Sequence, residues 1–140
     1  MGRVFFNVRK DVQSLTASYQ ALASDSGKHF YFNAAAGCTL TLPAVADAQE
    51  GWSCKATVAT VTTSNNYIIT EKTADDTNII ISLMSLLEID SGDDGLTNTG
   101  HTTITFEGTP ALGDHVEIHC DGTKYYATGL GVSDDFVVLA

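Results

Sequence analysis

His115, Glu117 and His119 stand two residues apart along an alternating segment, so an extended backbone places all three on one face, opposite Val116, Ile118 and Cys120. Imidazole and carboxylate are zinc ligands. At ~3.3 Å of rise per residue, however, the two histidine backbones lie ~13 Å apart, too far to share one ion whose ligands sit near ~2.1 Å. The strip is expected to face solvent or another subunit, and would hold a metal only where a symmetry axis brought copies together. Asp90-Ser-Gly-Asp-Asp-Gly95 resembles a calcium loop, but Gly92 stands where the D-x-[DN]-x-[DN]-G spacing needs an acid or amide. Asp75-Asp76 and Asp134-Asp135 are adjacent carboxylates, which point to opposite faces of a strand and so do not form a glycosidase pair. Tyr31, Trp52, Tyr125 and Tyr126 could line a sugar groove, although aromatics in alternating strands more often serve a core or an interface. No nucleophile elbow, phosphate-binding loop, zinc-protease helix or dinucleotide fingerprint is present in the sequence. The expectation is a protein that binds and does not catalyse, with no cofactor and no metal.

The elements that position these residues read as strands. Eighteen threonines and twelve glycines tilt the propensities toward pleated surfaces and turns. The segment 14–22 fits a short strand or a helical turn, and its periodicity does not decide. His29-Phe-Tyr-Phe-Asn33 turns Phe30 and Phe32 to one side, and Cys38-Thr-Leu-Thr-Leu-Pro43 does the same with Leu40 and Leu42. The pair reads as a hairpin. Segment 51–61 puts Trp52, Cys54, Ala56 and Val58 inward. Segments 102–106, 115–120 and 124–128 alternate as well, the last two joined across Asp121-Gly122, a hairpin signal. Ile79, Ile80, Ile81, Leu83 and Met84 are apolar on both faces, which implies cover from both sides, one of them a subunit interface. About eight short strands at this spacing predict an all-β fold, a single-domain antiparallel β-sandwich or jelly roll with extended termini.

One hundred and forty residues suffice for one domain and are too few for two joined by a linker. Seventeen acids against seven bases give a formal charge of −10, which argues against nucleic acid and anionic membranes as partners. Three of the seven bases, Arg3, Arg9 and Lys10, lie in the first ten residues beside Phe5 and Phe6. Residues 1–13 therefore read as an anchoring arm and residues 14–140 as the β domain. The apolar run from Ile79 to Ile89 is broken by Ser82, Ser85 and Glu88 and falls short of the ~20 residues of a membrane span, so a soluble protein is expected. Cys38, Cys54 and Cys120 are odd in number and form no CxxC pair, as fits reduced core thiols and assembly in a reducing cytoplasm.

Two blocks resemble modules of tailed-bacteriophage virion proteins. Residues 25–43 follow the pattern S-G-K, strand, N-A-A-x-G, strand, T-L-P. Residues 113–129 follow G-D-x-V-x-I-x-x-D-G-T-x-W/Y-x-x-x-G, with Tyr125 or Tyr126 in place of a frequent tryptophan. Such modules occur in capsid decoration (cement) proteins and in tail-fibre domains. The resemblance implies a trimeric β-sandwich or jelly roll on the virion capsid surface, assembled in the host cytoplasm, with the major capsid protein as partner. On that expectation the arm, Arg3, Phe5, Phe6, Arg9 and Lys10, seats the body on the shell. The alternative use of the same scaffold is a tail-fibre or baseplate receptor-binding appendage.

Overall fold

The structure, a computed structural model, describes residues 11–72, 79–86, 96–107, 110–132 and 138–139. These form twelve strands: β1 (Val12–Leu15), β2 (Tyr19–Gln20), β3 (Lys28–Phe32), β4 (Cys38–Thr41), β5 (Glu50–Val58), β6 (Tyr67–Thr70), β7 (Ile80–Leu86), β8 (Leu96–His101), β9 (Thr103–Phe106), β10 (His115–Asp121), β11 (Tyr125–Gly131) and β12 (Val138–Leu139). A 3-10 turn (Ala23–Asp25) and one short helix, α1 (Val45–Ala48), lie between strands. The fold is all-β. No helix among the described residues is long and apolar enough to cross a membrane.

A seven-stranded sheet has the order β1-β3-β5-β10-β11-β7-β8, and a five-stranded sheet the order β12-β9-β6-β4-β2. From β1 to β6 the chain alternates between them. Successive strands in each sheet are parallel, β1 to β3 to β5 in one and β2 to β4 to β6 in the other. Parallel neighbours need a crossover, commonly a helix; here a strand of the opposite sheet serves, so residues 12–20, 28–41 and 50–70 wind as three successive coils. The second half of the chain adds mainly antiparallel pairs, β5 with β10, β10 with β11, β7 with β8 and β6 with β9.

Two sequence-based expectations are corrected. The sheets are mixed, not antiparallel, and β3 and β4 are not a hairpin, because they belong to different sheets. The reason lies in the corner at 33–37. A hairpin pairs its own backbone, whereas this corner spends its polar groups on neighbouring coils. Asn33 N–H donates to Leu15 O (2.9 Å), Thr63 N–H to Ala35 O (2.8 Å), Asn65 Nδ2 to Ala36 O (2.9 Å) and the Tyr67 hydroxyl to Ala34 O (2.9 Å). Gly37 makes the close approach possible. Its φ is +79°, and a Cβ there would sit 2.6 Å from the Asn66 carbonyl oxygen. Gly37→Ala is expected to lower the unfolding free energy by about 2–3 kcal/mol, combining backbone strain with a backbone clash that no side-chain rotation relieves. Urea denaturation of the two proteins measures it; a difference within ~0.5 kcal/mol would mean the corner shifts freely.

The alternation itself holds. Phe30 and Phe32, Leu40 and Leu42, and Trp52, Cys54, Ala56 and Val58 are all buried, and they join Tyr67, Ile69, Ile104, Phe106, Val116, Ile118 and Tyr125 in a single core fed by the inward faces of both sheets. Phe32 of one sheet stacks on Tyr67 of the other at 4.6 Å between ring centroids and meets Phe106 edge-on at 5.7 Å. Trp52 packs edge-on against Tyr125. Burying each such ring contributes about 1.5–3 kcal/mol. None of these polar tips is stranded, since Trp52 Nε1 donates to Leu22 O (3.2 Å), Tyr125 to Pro43 O (2.7 Å), and the single Tyr67 hydroxyl proton is shared between Ala34 O and Thr60 O (2.7 Å).

Candidate interaction face

On β10 the burial alternates strictly: Val116, Ile118 and Cys120 are buried, and His115, Glu117 and His119 face outward. The register carries this outward row across the sheet. Val12, His29, Lys55, Glu117, Thr128 and Leu83 lie abreast on β1, β3, β5, β10, β11 and β7. On one side of that row run Tyr31, Thr57, His115, Leu130 and Ser85, and on the other Ser53, His119, Tyr126 and Ile81. The result is a broad face whose β7–β11 side is apolar and whose β3–β5–β10 side carries histidine, hydroxyl and one ion pair.

That pair is Lys55 Nζ to Glu117 at 3.4 Å. Both ends are partly exposed, so its contribution to stability is at most about 1 kcal/mol, and its main effect is to cancel charge at the centre of the face. His29 shares a 2.8 Å hydrogen bond with the Thr57 hydroxyl and stacks on Tyr31 at 4.2 Å, fixing both rings against the sheet. The His115 Nδ1–H donates to Gly113 O at 3.0 Å. A shallow groove of about 260 Å³ opens beside this cluster, between Lys28, His29, Ser53, Lys55 and His119. Among the described residues no three His, Cys, Asp or Glu side chains converge to hold a metal.

The five residues expected at a subunit interface divide. Ile80 and Met84 are buried in the chain's own core, and Ile79 packs against it, while Ile81 and Leu83 are on the outer face, Leu83 being 56% exposed. The arm residues Arg3, Phe5, Phe6, Arg9 and Lys10 lie outside the described residues, as do Asp75-Asp76, residues 90–95 and Asp134-Asp135. Of the aromatics that could line a sugar groove, Trp52 and Tyr125 are core, and only Tyr31 and Tyr126 face outward. All three cysteines are free and buried. Burial pushes the Cys38 thiol up to about 11 and raises those of Cys54 and Cys120 as well, which keeps them protonated and unreactive.

Three buried polar groups lie outside the candidate sites drawn from the sequence. Asp25 is 5% exposed, with its carboxylate 2.6 Å from Lys28 Nζ. Asp114 accepts the Ala111 and Val132 N–H groups and so ties the loop before β10 to the end of β11; burial raises its pKa against those two bonds. His101 and Ser82 share a 2.7 Å hydrogen bond between β8 and β7, with the ring 1% exposed and burial lowering its pKa. An acid flanked by Gly27 and Lys28, or by Gly113, is a recognisable turn signal, but a lone serine and histidine nineteen residues apart give none.

No known protein family, no curated protein and no solved structure matches this chain.

Proposed function

We propose that the protein is a non-enzymatic structural component of a phage virion: a trimeric decoration protein of β-sandwich type that seats on the outer surface of the head, against the major capsid protein, and stabilises the shell. The observation that carries this reading is how the two phage-like sequence blocks are used. Residues 25–43 build β3, the Gly37 corner and β4, and residues 113–129 build the β10–β11 hairpin. Of these, β3 and β10 flank β5 in the seven-stranded sheet while β4 joins the other sheet, so the two blocks meet around β5. Their distinctive residues have structural work: Lys28 with Asp25, Gly37 at the corner, Asp114 across two strands, and Asp121, whose carboxylate accepts the N–H groups of Thr123 and Lys124 at 2.7 Å each and is held down to about 2 by them. A motif spent on scaffold fits a protein that acts by occupying a site. In this reading the basic, aromatic arm supplies the attachment to the shell and the body supplies the contacts between copies.

Such a protein works by mass action. At 100 times its dissociation constant it stabilises each occupied site by about 2.7 kcal/mol, summed over a lattice. Particles stripped of the protein and then resaturated should release their genome at a higher temperature than stripped particles, and deletion of residues 2–10 should abolish that gain while leaving the body folded. Equal release temperatures would overturn the decoration role. A receptor-binding appendage is the second reading, and the parallel coil from β1 to β6 favours it, since coils that stack along an axis suit a fibre. Micrographs locating the protein on head or on tail separate the two.

A further inference from the structure

We infer that the groove on the outer face of the seven-stranded sheet binds a neutral saccharide chain, one sugar unit lying between His29, Lys55, Glu117 and His119 and the next on the ring of Tyr126. The inference goes beyond the shell-stabilising role and does not depend on it.

The groove is a gap in a layer of outward side chains. Gly27, whose N–H donates to Ser53 O at 2.7 Å, lies abreast of Ser53, His119 and Tyr126, so the row begins with one residue that has no side chain and one that has a small one. A Cβ placed at Gly27 would meet nothing within 4 Å. His29, Lys55 and Glu117 stand abreast in the next outward row, about 6.6 Å along the strands, and His119 closes the end. The space left is about 260 Å³. It is just under the usual size of a site for a drug-sized ligand, and enough for one sugar ring.

The lining selects the ligand. Its outward side chains are all polar, so an apolar guest would strand them. Lys55 and Glu117 cancel each other at 3.4 Å and Lys28 Nζ is held by Asp25 at 2.6 Å, so no fixed charge is left over to draw an anion to a chain of −10. Hydrogen-bonding capacity of both kinds does remain. An ammonium carries about three donors and a carboxylate about four acceptor sites, and one ion pair occupies few of them. The Ser53 hydroxyl and the His119 ring each donate and accept. Donors and acceptors interleaved over the width of one ring match sugar hydroxyls, each of which is both. Tyr126, 44% exposed and abreast of His119, adds an aromatic ring on which the C–H face of the next unit can rest. These groups are ordered before a ligand arrives: His29 by the Thr57 hydroxyl at 2.8 Å and the Tyr31 ring, Lys55 and Glu117 by each other, and Tyr126 by the hydrogen bond its hydroxyl donates to Asp121. Side chains already held lose little freedom on binding.

Amide NMR of the isotope-labelled full chain tests it, with lactose, maltose, cellobiose and diacetylchitobiose titrated to about 50 mM beside glucose, galactose and N-acetylglucosamine. At least one disaccharide should shift the amides of Ser53, Lys55, Glu117, His119 and Tyr126 with a dissociation constant on the order of 1 mM, as fits a shallow groove, and bind about 10-fold more tightly than its monosaccharides. Tyr126→Ala should remove that gain, and Glu117→Ala should weaken every sugar by about 10-fold. Leu112→Ala, at a 66% exposed position away from the groove, should bind as wild type does. The same spectra report folding, and the wild-type shift map stands as a test if a variant does not fold. No shift from any sugar at about 50 mM, shifts that map away from the groove, or inorganic phosphate bound there more tightly than any sugar would overturn the inference. Genome release from heated particles reports the stabilising role separately, so either reading can fail alone.

Discussion

Replacing Asp25 by alanine is expected to lower the unfolding free energy at pH 7 by about 3 kcal/mol, close to the loss seen when one member of a buried ion pair is removed. Three donors depend on this one carboxylate. Leu22 N–H (2.8 Å) and the Tyr19 hydroxyl (3.0 Å) reach Oδ2, and Lys28 Nζ reaches Oδ1 at 2.6 Å. Together they close the turn that takes the chain from β2 into β3. Lys28 is 15% exposed at its side chain and, among the described residues, keeps only Gln13 at 3.2 Å and the exposed Asp11 at 3.6 Å once Asp25 is gone. The pH dependence identifies the cause. Burial alone would raise the Asp25 pKa, but Lys28, the Leu22 N–H and Tyr19 outweigh it and hold the group below its ordinary value of 3.8. A carboxyl depressed on folding adds stability that is complete above the unfolded pKa and is lost as pH falls through the folded one. The gap between wild type and Asp25→Ala should therefore be full at pH 7 and shrink below about pH 3.8. Urea titrations across that range measure it, and a gap of constant size would assign the loss to packing instead of charge.

The inward faces of the alternating segments were legible in the sequence, but strand number and strand partners were not, since twelve strands stand where about eight were expected. Alternation depends only on which side of a strand is buried, so Phe30, Leu40, Trp52 and Val116 declared their faces directly. Pairing depends on what a corner does with its backbone. Asn33-Ala-Ala-Ala-Gly37 has the composition of a loop of hairpin length, and nothing local announces that Gly37 will pack under Asn65 and Asn66, almost thirty residues later. At Asp121-Gly122 the turn completes itself, with Asp121 capping Thr123 and Lys124 and Gly122 at φ +90°, so local sequence sufficed and the hairpin is formed.

The candidate face was half legible for the same reason. The outward set on β10 followed from its period of two, but its neighbours come from β3, β5, β11 and β7, which only the register brings abreast. Ile80, Ile81, Leu83 and Met84 show the limit sharply. Hydropathy alone makes them one apolar run, while the strand divides them between the core and the outer face. Lys28 shows the converse. It occupies an inward position at the first residue of β3, where a charge is out of place unless something waits for it, and Asp25 three residues earlier does.

His101 carries the second large effect, as a loss of stability on mild acidification. Its ring is 1% exposed, one nitrogen bonded to Ser82 at 2.7 Å and Nδ1 without a partner among the described residues. β7 and β9 supply no ionisable side chain, and the nearby Glu71 accepts the Ile79 N–H at 3.4 Å. A protonated ring would bury a charge with one N–H unsatisfied, so the folded state resists the proton, and burial accordingly lowers the pKa from its ordinary 6.5. For a histidine depressed on folding, the unfolded chain takes up the proton first. Stability is then complete above pH 6.5 and falls as pH drops toward the folded pKa, by up to about 1.4 kcal/mol per unit. Wild type should lose stability as pH falls from 6.5 to 5, and His101→Gln, which can still bond Ser82 but does not titrate, should lose less over that interval. Hydrogen exchange should find the opening first at β8, which is the edge of its sheet and has only β7 to hold it. Parallel pH profiles for the two proteins would clear His101 of the effect.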